Sequence, residues 1–473
     1  MRRVFLSLLI LSTISSTCFS DDPFSTTIST ALVEGDIVAG VGAVEFIDNL
    51  AINSNGDWMV EANTDFANTD EDGVLVINGV VLLREGIVGN INAPANSFVD
   101  SFDGVSINDT GNGGFNLFID PLASSEDSGI YFNNTLVIQE SDIATAKDLS
   151  PSTPYIGFFD TKINNNDVIM IMASVDDPAI DTSVDRAIVL ADTVNGTQTV
   201  IAKEEQLLPG QKMRTVDDFG TGPHSSAFND NDEVLYIAEL SGDSTADNAI
   251  YLDDTLIAQE GSFSPDGTRT YDFLADRGLD LNNNGDYVFK ANLSGDTSTD
   301  DVIILNDSIF KQEGDPAVDG FSLTGFGLSG GPVRIGDNGN VLWFGEWDNP
   351  NTDNDSGLFI NDRLIVEEGI TKINGLVVDT VNGGTDAFAM SSDGSWAIFE
   401  ATLEGGINGA FLIEIDNVLL GDLNLDGVVD LLDVQPMVQV ICCGSFQAEG
   451  DINCDGVVDL LDVDPFVQIL TGI

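Results

Sequence analysis

The chain has 473 residues, with 79 Asp and Glu against 16 Lys and Arg and a formal net charge of -63. That charge repels nucleic-acid phosphates and anionic lipid, and apolar residues at 42% are too many for a disordered acidic tail. A single histidine, His224, excludes histidine-rich zinc sites and leaves calcium and carboxylate chemistry as what the composition favours.

Residues 1–20 read as a secretory signal. Arg2 and Arg3 open it, an apolar run follows from Val4 to Ile14, and Cys18-Phe19-Ser20 leads to Asp21. The mature chain is therefore expected to be secreted or on the cell surface, without a membrane span, and to act as a monomer.

Residues 21–420 carry an internal repeat. An Asn, Asp or Gly turn leads into an alternating apolar strand, then a polar loop, then two short strands joined by a two-residue turn. The first turns begin at Asn53, Asn108, Asn164, Asn229, Asn282, Gly336 and Ser391, spaced by 55, 56, 65, 53, 54 and 55 residues. The second turns, Asn78-Gly79, Asn133-Asn134, Asp253-Asp254, Asn306-Asp307 and Asn361-Asp362, offer residues that tolerate the positive φ of a tight hairpin. With one more strand before each first turn, every repeat becomes a four-stranded sheet. Seven such sheets predict an all-β, seven-bladed β-propeller.

Most repeats end in Glu-Gly or a variant, at Glu85, Glu140, Glu204, Glu260, Glu313 and Glu368, and the seventh lacks this ending. The missing copy, Glu34-Gly35, stands at the front of the mature chain, so an N-terminal strand is expected to complete the last blade; Val418 to Leu420 is the rival. If the blades align, the recurrent glutamates could form a ring that holds cations or sugar hydroxyls. The run from Asp280 to Asp286 resembles half a calcium loop but recurs as a turn in other repeats, and is read as a hairpin turn. His224 is read as structural. Trp58, Trp343 and Trp396 suit the blade core, and Trp347 is placed beyond the strand, where it could stack on a sugar face.

Residues 421–473 hold the most specific motif. Asp422, Asn424, Asp426, Val428, Asp430 and Asp433 occupy positions 1, 3, 5, 7, 9 and 12 of a D-x-N-x-D-G loop. Asp451, Asn453, Asp455, Val457, Asp459 and Asp462 repeat it 29 residues later. Calcium takes six to eight hard oxygen ligands, and such a loop supplies them, position 7 through its backbone carbonyl; Gly427 and Gly456 permit the sharp turn. Two Ca2+ ions in a small α-helical module of EF-hand-like loops are expected. Leu431-Leu432 and Leu460-Leu461, followed by Pro436 and Pro465, are expected to pack the two halves together or against the last blade. Among Cys442, Cys443 and Cys454, one disulfide could join Cys454 to either member of the pair.

The tandem loops resemble a type I dockerin module, in which each calcium loop precedes one helix and Asp stands at position 12. The resemblance implies calcium ligation by the residues named and attachment to a partner, a cohesin-like domain being the family's usual one. The favoured function is a secreted, calcium-binding, non-catalytic binding or scaffold protein, with the propeller facing an extracellular polysaccharide or surface protein and the module providing attachment. A carbohydrate-active enzyme, hydrolase or lyase, and a structural cell-surface protein are the alternatives. No catalytic residue is singled out.

Overall fold

The computed structural model describes residues 24–180, 185–220, 225–242, 246–327, 331–417, 421–424, 428–443, 450, 452 and 458–471. Residues 1–20, His224 and the segment Val418 to Leu420 fall outside them. The chain divides into two compact units, Thr27–Glu414 and the two flanking ends, up to Thr26 and from Ile415.

The larger unit is a seven-bladed β-propeller. Seven antiparallel sheets follow one another along the chain, at residues 44–84, 98–139, 155–203, 216–259, 271–312, 323–367 and 372–417, here blades 1 to 7. Blade 1 shows the plan, with strands Val44–Ile52, Trp58–Thr64, Gly73–Ile77 and Val80–Arg84 in sequential order. The innermost strands touch in series, from blade 1 to blade 7 and from blade 7 back to blade 1, so the ring is closed.

Each blade is buried on both faces, and its apolar side chains pack against the neighbouring blades. Val60 and Val74 of blade 1, for instance, share a core with Ile398 and Ala410 of blade 7. That double burial is why the second and third strands read as nearly unbroken apolar runs.

The hairpin turns adopt the expected conformation. Asn78, Asn133, Asp253, Asn306 and Asn361 have φ between 47° and 55°. Their side-chain oxygens also accept the N–H that opens the second strand of their own blade, at 2.8 to 3.1 Å. Asn and Asp serve better than Gly there because they tolerate the turn and tie it down.

The N-terminal strand completes blade 7. Phe24–Val33 pairs with Ile407–Asn417, giving the order of an outermost strand donated from the front of the chain. The Glu-Gly ending explains how that strand locks in. In every blade the glutamate N–H donates to the carbonyl of the first or second residue of the third strand, at 2.9 to 3.1 Å, and Glu34 does so to Asn408. The next residue has φ between 62° and 89° in all seven copies and donates its N–H to the inner strand of the following blade, at 2.8 to 3.0 Å. Gly35 makes this bond to Val44, joining blade 7 to blade 1.

In the smaller unit, helices α1 (Val434–Cys443) and α2 (Val463–Thr471) share an apolar cluster of Leu423, Met437, Val440, Ile452 and Phe466. Neither is long and apolar enough to cross a membrane, nor is any other helix among the described residues.

Deleting residues 21–36 removes the donated strand and exposes the edge of Ile407–Asn417. The melting temperature should fall by at least about 5 °C, with aggregation on heating. A truncated protein that melts like the full chain in scanning calorimetry would contradict this closure.

Candidate functional site

The first turns of the repeats meet around the propeller axis. Asn53, Asn108, Asn164, Asn229 and Asn282 are buried there. Each side-chain oxygen accepts the N–H groups two and four residues later, at 2.9 to 3.1 Å, which shapes its own turn. Each side-chain N–H donates to the backbone carbonyl of the equivalent residue in the next blade, at 2.9 to 3.1 Å. Gly336 has no amide to offer. Its place is explained by crowding, since a Cβ there would lie 2.4 Å from the Gly394 backbone, and Asn338 makes the bond onward to the Gly394 carbonyl instead.

A second circle lies one residue on. The backbone N–H groups of Ser54, Asp109, Asn165, Asp230 and Asn283 each donate to the side chain of the next blade's residue, at 2.7 to 2.8 Å. Asn165 and Asn283 also bridge the carboxylates of Asp109, Asp230 and Asp337 at 2.8 to 2.9 Å. Ser54 and Ser392 close the circle, with their hydroxyls 3.0 Å apart.

Beneath this mouth is a cavity of about 240 Å3 lined by all seven blades. Its wall is electrically uneven. Blades 3 and 6 supply cations: Lys162 pairs with Asp160, which also accepts from Ser226, and the Arg334 guanidinium partly offsets the burial that raises Asp280 of blade 5. Around blades 7, 1 and 2 gather Asp48, Asp103 and Asp386, with Glu61 and Glu400 behind them. Burial, then the charge of Asp386, raises Asp48. Burial pushes Glu61 up to about 8 against the hydrogen bond from Asn49, and Glu400 up to about 7 against that from Asn382. Such a cavity suits water or a small polar group.

Other candidates fall elsewhere. The recurrent glutamates do not ring the axis. Five of their carboxylates accept the N–H of the first or second residue of the third strand of their own blade, at 2.9 to 3.3 Å, because the clamp already described turns the side chain back onto its sheet. Trp347 belongs to the strand Val341–Trp347 and is 2% exposed, edge-on to Phe359, so it cannot stack on a sugar. Asn282 confirms the turn reading of Asp280 to Asp286, its oxygen holding the N–H groups of Asn284 and Asp286.

In the C-terminal loops, Asp426, Asp451, Asn453, Cys454, Asp455 and Val457 lie outside the described residues. Asp422, Asp433 and Asp462 are buried, while Asp430 is exposed and Asn424 and Asp459 are half-buried. The position-12 aspartates act alike. Asp433 and Asp462 are 0% exposed, and their carbonyls accept the first helical bonds, from Met437 and Phe466 at 2.9 Å. Their carboxylates reach back to the N–H of Asp430 and of Asp459, each at 2.8 Å. Each therefore stands at the N-cap position of its helix with its carboxylate turned to its own loop. Pro436 and Pro465 sit in the first helical turns, where no N–H is needed.

The leucine pairs are a correction. Leu431, Leu432, Leu460 and Leu461 are 79%, 65%, 76% and 65% exposed. Met437, Val440 and Phe466 take the inward positions, which leaves the residues just before each helix in solvent. Cys442 carries a free, exposed thiol.

The model of a family of unknown function, DUF7453, matches residues 7–256. No curated protein matches the chain. Among solved structures, TolB from Acinetobacter baumannii is 13% identical, with 78% of this chain and 80% of that one covered and a TM-score of 0.31. A protein of unknown function from Bacteroides caccae is 14% identical over 56% of this chain and 80% of its own, with a TM-score of 0.27. A gluconolactonase from Xanthomonas campestris is 8% identical over 84% and 95%, with a TM-score of 0.28.

Two measurements check the axial network. Asn164→Ala removes one of the two hydrogen bonds to the Asn229 carbonyl, leaves the Val168 N–H without its partner in a buried setting, and should cost about 2–4 kcal/mol in chemical denaturation, whereas the exposed Asn166→Ala should cost under about 1 kcal/mol. The second is pH. Because Glu61 and Glu400 are raised from 4.5 to about 8 and about 7, the folded propeller holds protons that the unfolded chain releases. Their contribution is complete below pH 4.5 and is lost as the pH climbs through 7 to 8. Urea midpoints should fall across that window, and Glu61→Gln should flatten the fall; an unchanged slope in that variant would count against it.

Proposed function

The chain belongs to DUF7453, a family of unknown function, and from that premise we propose that it is a secreted, non-catalytic binding protein whose C-terminal module carries two calcium ions and provides attachment. The observation that carries the binding reading is the hydrogen-bonded mouth of the propeller. Its carboxylates, Asp109, Asp230 and Asp337, are engaged in holding neighbouring blades in register, at 2.7 to 2.8 Å from the N–H groups they accept. Side chains fixed in that way serve as scaffold, and recognition falls to the loops that the scaffold holds rigid. A net charge of -63 makes polyanions poor partners, which leaves neutral extracellular polysaccharide or a surface protein.

The oxygen-rich loops fit calcium. Asp422, Asn424, Asp426, Asp430 and Asp433, with the Val428 carbonyl, would hold one ion. Asp451, Asn453, Asp455, Asp459 and Asp462, with the Val457 carbonyl, would hold the other. The buried, loop-facing carboxylates of Asp433 and Asp462 support this reading. Bound calcium would offset the repulsion among four carboxylates in each loop, making ion binding part of the module's folding energy. The exposed leucine pairs, one beside each helix, offer an apolar face for a partner such as a cohesin-like domain.

Titration calorimetry should count two calcium ions, and Asp433→Asn and Asp462→Asn should each weaken one site. Hydrogen exchange across residues 421–471 should slow with calcium while the propeller is unaffected; identical exchange with and without calcium would refute the assignment. For the propeller, insoluble plant and algal polysaccharides should retain the protein with no release of reducing ends or unsaturated products. Release that stops when one propeller Asp or Glu becomes its amide would replace the binding reading with an enzyme.

A further inference from the structure

At the end of the strands remote from the asparagine turns, blades 6 and 7 leave a cleft of about 680 Å3. That lies within the roughly 300–1,000 Å3 of small-ligand sites. The cleft has a cause in the sequence. The innermost strands of both blades are interrupted, between Leu323–Gly325 and Val333–Ile335 in one and between Leu376–Val381 and Phe388–Met390 in the other. Glycines flank the breaks. A Cβ on Gly383 would come within 2.7 Å of the Phe344 ring, and one on Gly327 within 2.7 Å of the Gly383 carbonyl. Backbones from two blades thus close directly on one aromatic ring, at the register position that holds Glu61 in blade 1 and Lys290 in blade 5.

The lining combines apolar surface with acceptors. Phe46, 54% exposed, stands at the rim. Glu346 leans over Gly325, where a Cβ would lie 3.0 Å from its Oε2. Asn382 donates to Glu400 at 2.7 Å, its own oxygen taking the Gly384 N–H at 2.9 Å. Among the described lining residues there is no Lys, Arg or His to balance an anionic ligand. A cation is disfavoured for a different reason. Burial raises Glu346 and pushes Glu400 up to about 7, so the Glu400 carboxyl interconverts between acceptor and donor near neutral pH, a change that hydroxyl partners tolerate and a cation does not.

We propose that this cleft binds a neutral pyranose unit of an extracellular glycan, with Phe46 against the apolar face of the sugar and Glu346, Asn382 and Glu400 hydrogen-bonded to its hydroxyls. The proposal rests on the binding reading above and gives it a place and a ligand class. Aromatic rings present flat, rigid apolar area to the C–H face of a sugar, and carboxylates and amides match pairs of neighbouring hydroxyls.

The test uses the full, calcium-loaded chain and titration calorimetry with hexasaccharides of neutral glucose, mannose and galactose, against oligogalacturonate and a glucosamine hexamer. Phe46→Ala and Glu346→Ala, checked for an unchanged melting temperature, should each weaken a neutral hexamer about tenfold or more. Phe273→Ala, an exposed phenylalanine at the same register position of blade 5, should leave the affinity unchanged. Neutral binding that both cleft variants retain would overturn the cleft alone. Absence of neutral-glycan binding by the wild type would overturn the cleft and the glycan reading together. Tighter binding of the glucosamine hexamer or of oligogalacturonate than of any neutral one would overturn the ligand class.

Discussion

The propeller depends on one side-chain amide that performs two tasks in each of its first five blades. A ring of twisted sheets is a chain of contacts in which any error in register accumulates until the last blade fails to meet the first. The turn asparagine prevents this by using its oxygen on its own turn and its N–H on the next blade's carbonyl, so the shape of a blade and its position relative to the next are fixed by the same group. Asn carries its donor and its acceptor on two separate atoms of a short stem, so one group can face two blades at once. The repeat lengths read along the chain return as the sequence separations across these bonds, 55, 56, 65, 53 and 54 residues.

A second lock works at the outer edge. The glutamate at the end of each fourth strand bonds within its own blade, and the left-handed residue after it bonds to the next. Inner and outer locks together hold each blade at two radii, which resists both sliding and tilting. Ring closure needs no special device, because the N-terminal strand brings its own copy of the outer lock, Glu34-Gly35, to the blade that lacks one.

Much of this was legible in the sequence because it is local. Turn asparagines, hairpin dipeptides and Glu-Gly endings recur at fixed offsets, and a backbone that needs positive φ selects Asn, Asp or Gly at most positions, Ser141 and Glu205 being among the exceptions. The direction in which a side chain points was not legible. The glutamates recur as a ring would require, yet each turns back onto its own sheet. Trp347 lies within its strand and is buried by the crowding of Phe359. The leucine pairs carry the hydrophobicity of a core but occupy positions that the helix cap leaves outside. The cleft was invisible because it arises from glycines in two different repeats meeting over Phe344, a coincidence between blades that leaves no periodic trace.

The asparagine circle also bears on how the molecule ages. Asparagine slowly loses its amide through attack by the following backbone nitrogen, a reaction that is quick before glycine and needs backbone freedom. In the circle the asparagines precede Ser54, Asp109, Asn165, Asp230 and Asn283, never glycine, and their turns are pinned by hydrogen bonds on both sides. Conversion to a carboxylate there would replace a donor with a negative charge facing a carbonyl. Asn-Gly pairs stand a little farther along the same turns, at Asn55-Gly56, Asn284-Gly285 and Asn338-Gly339, where the asparagines are exposed and their amides donate to carbonyls of the next blade at 2.5 to 3.1 Å. Chemical wear therefore reaches the exposed bonds between blades first and spares the buried asparagines beneath them.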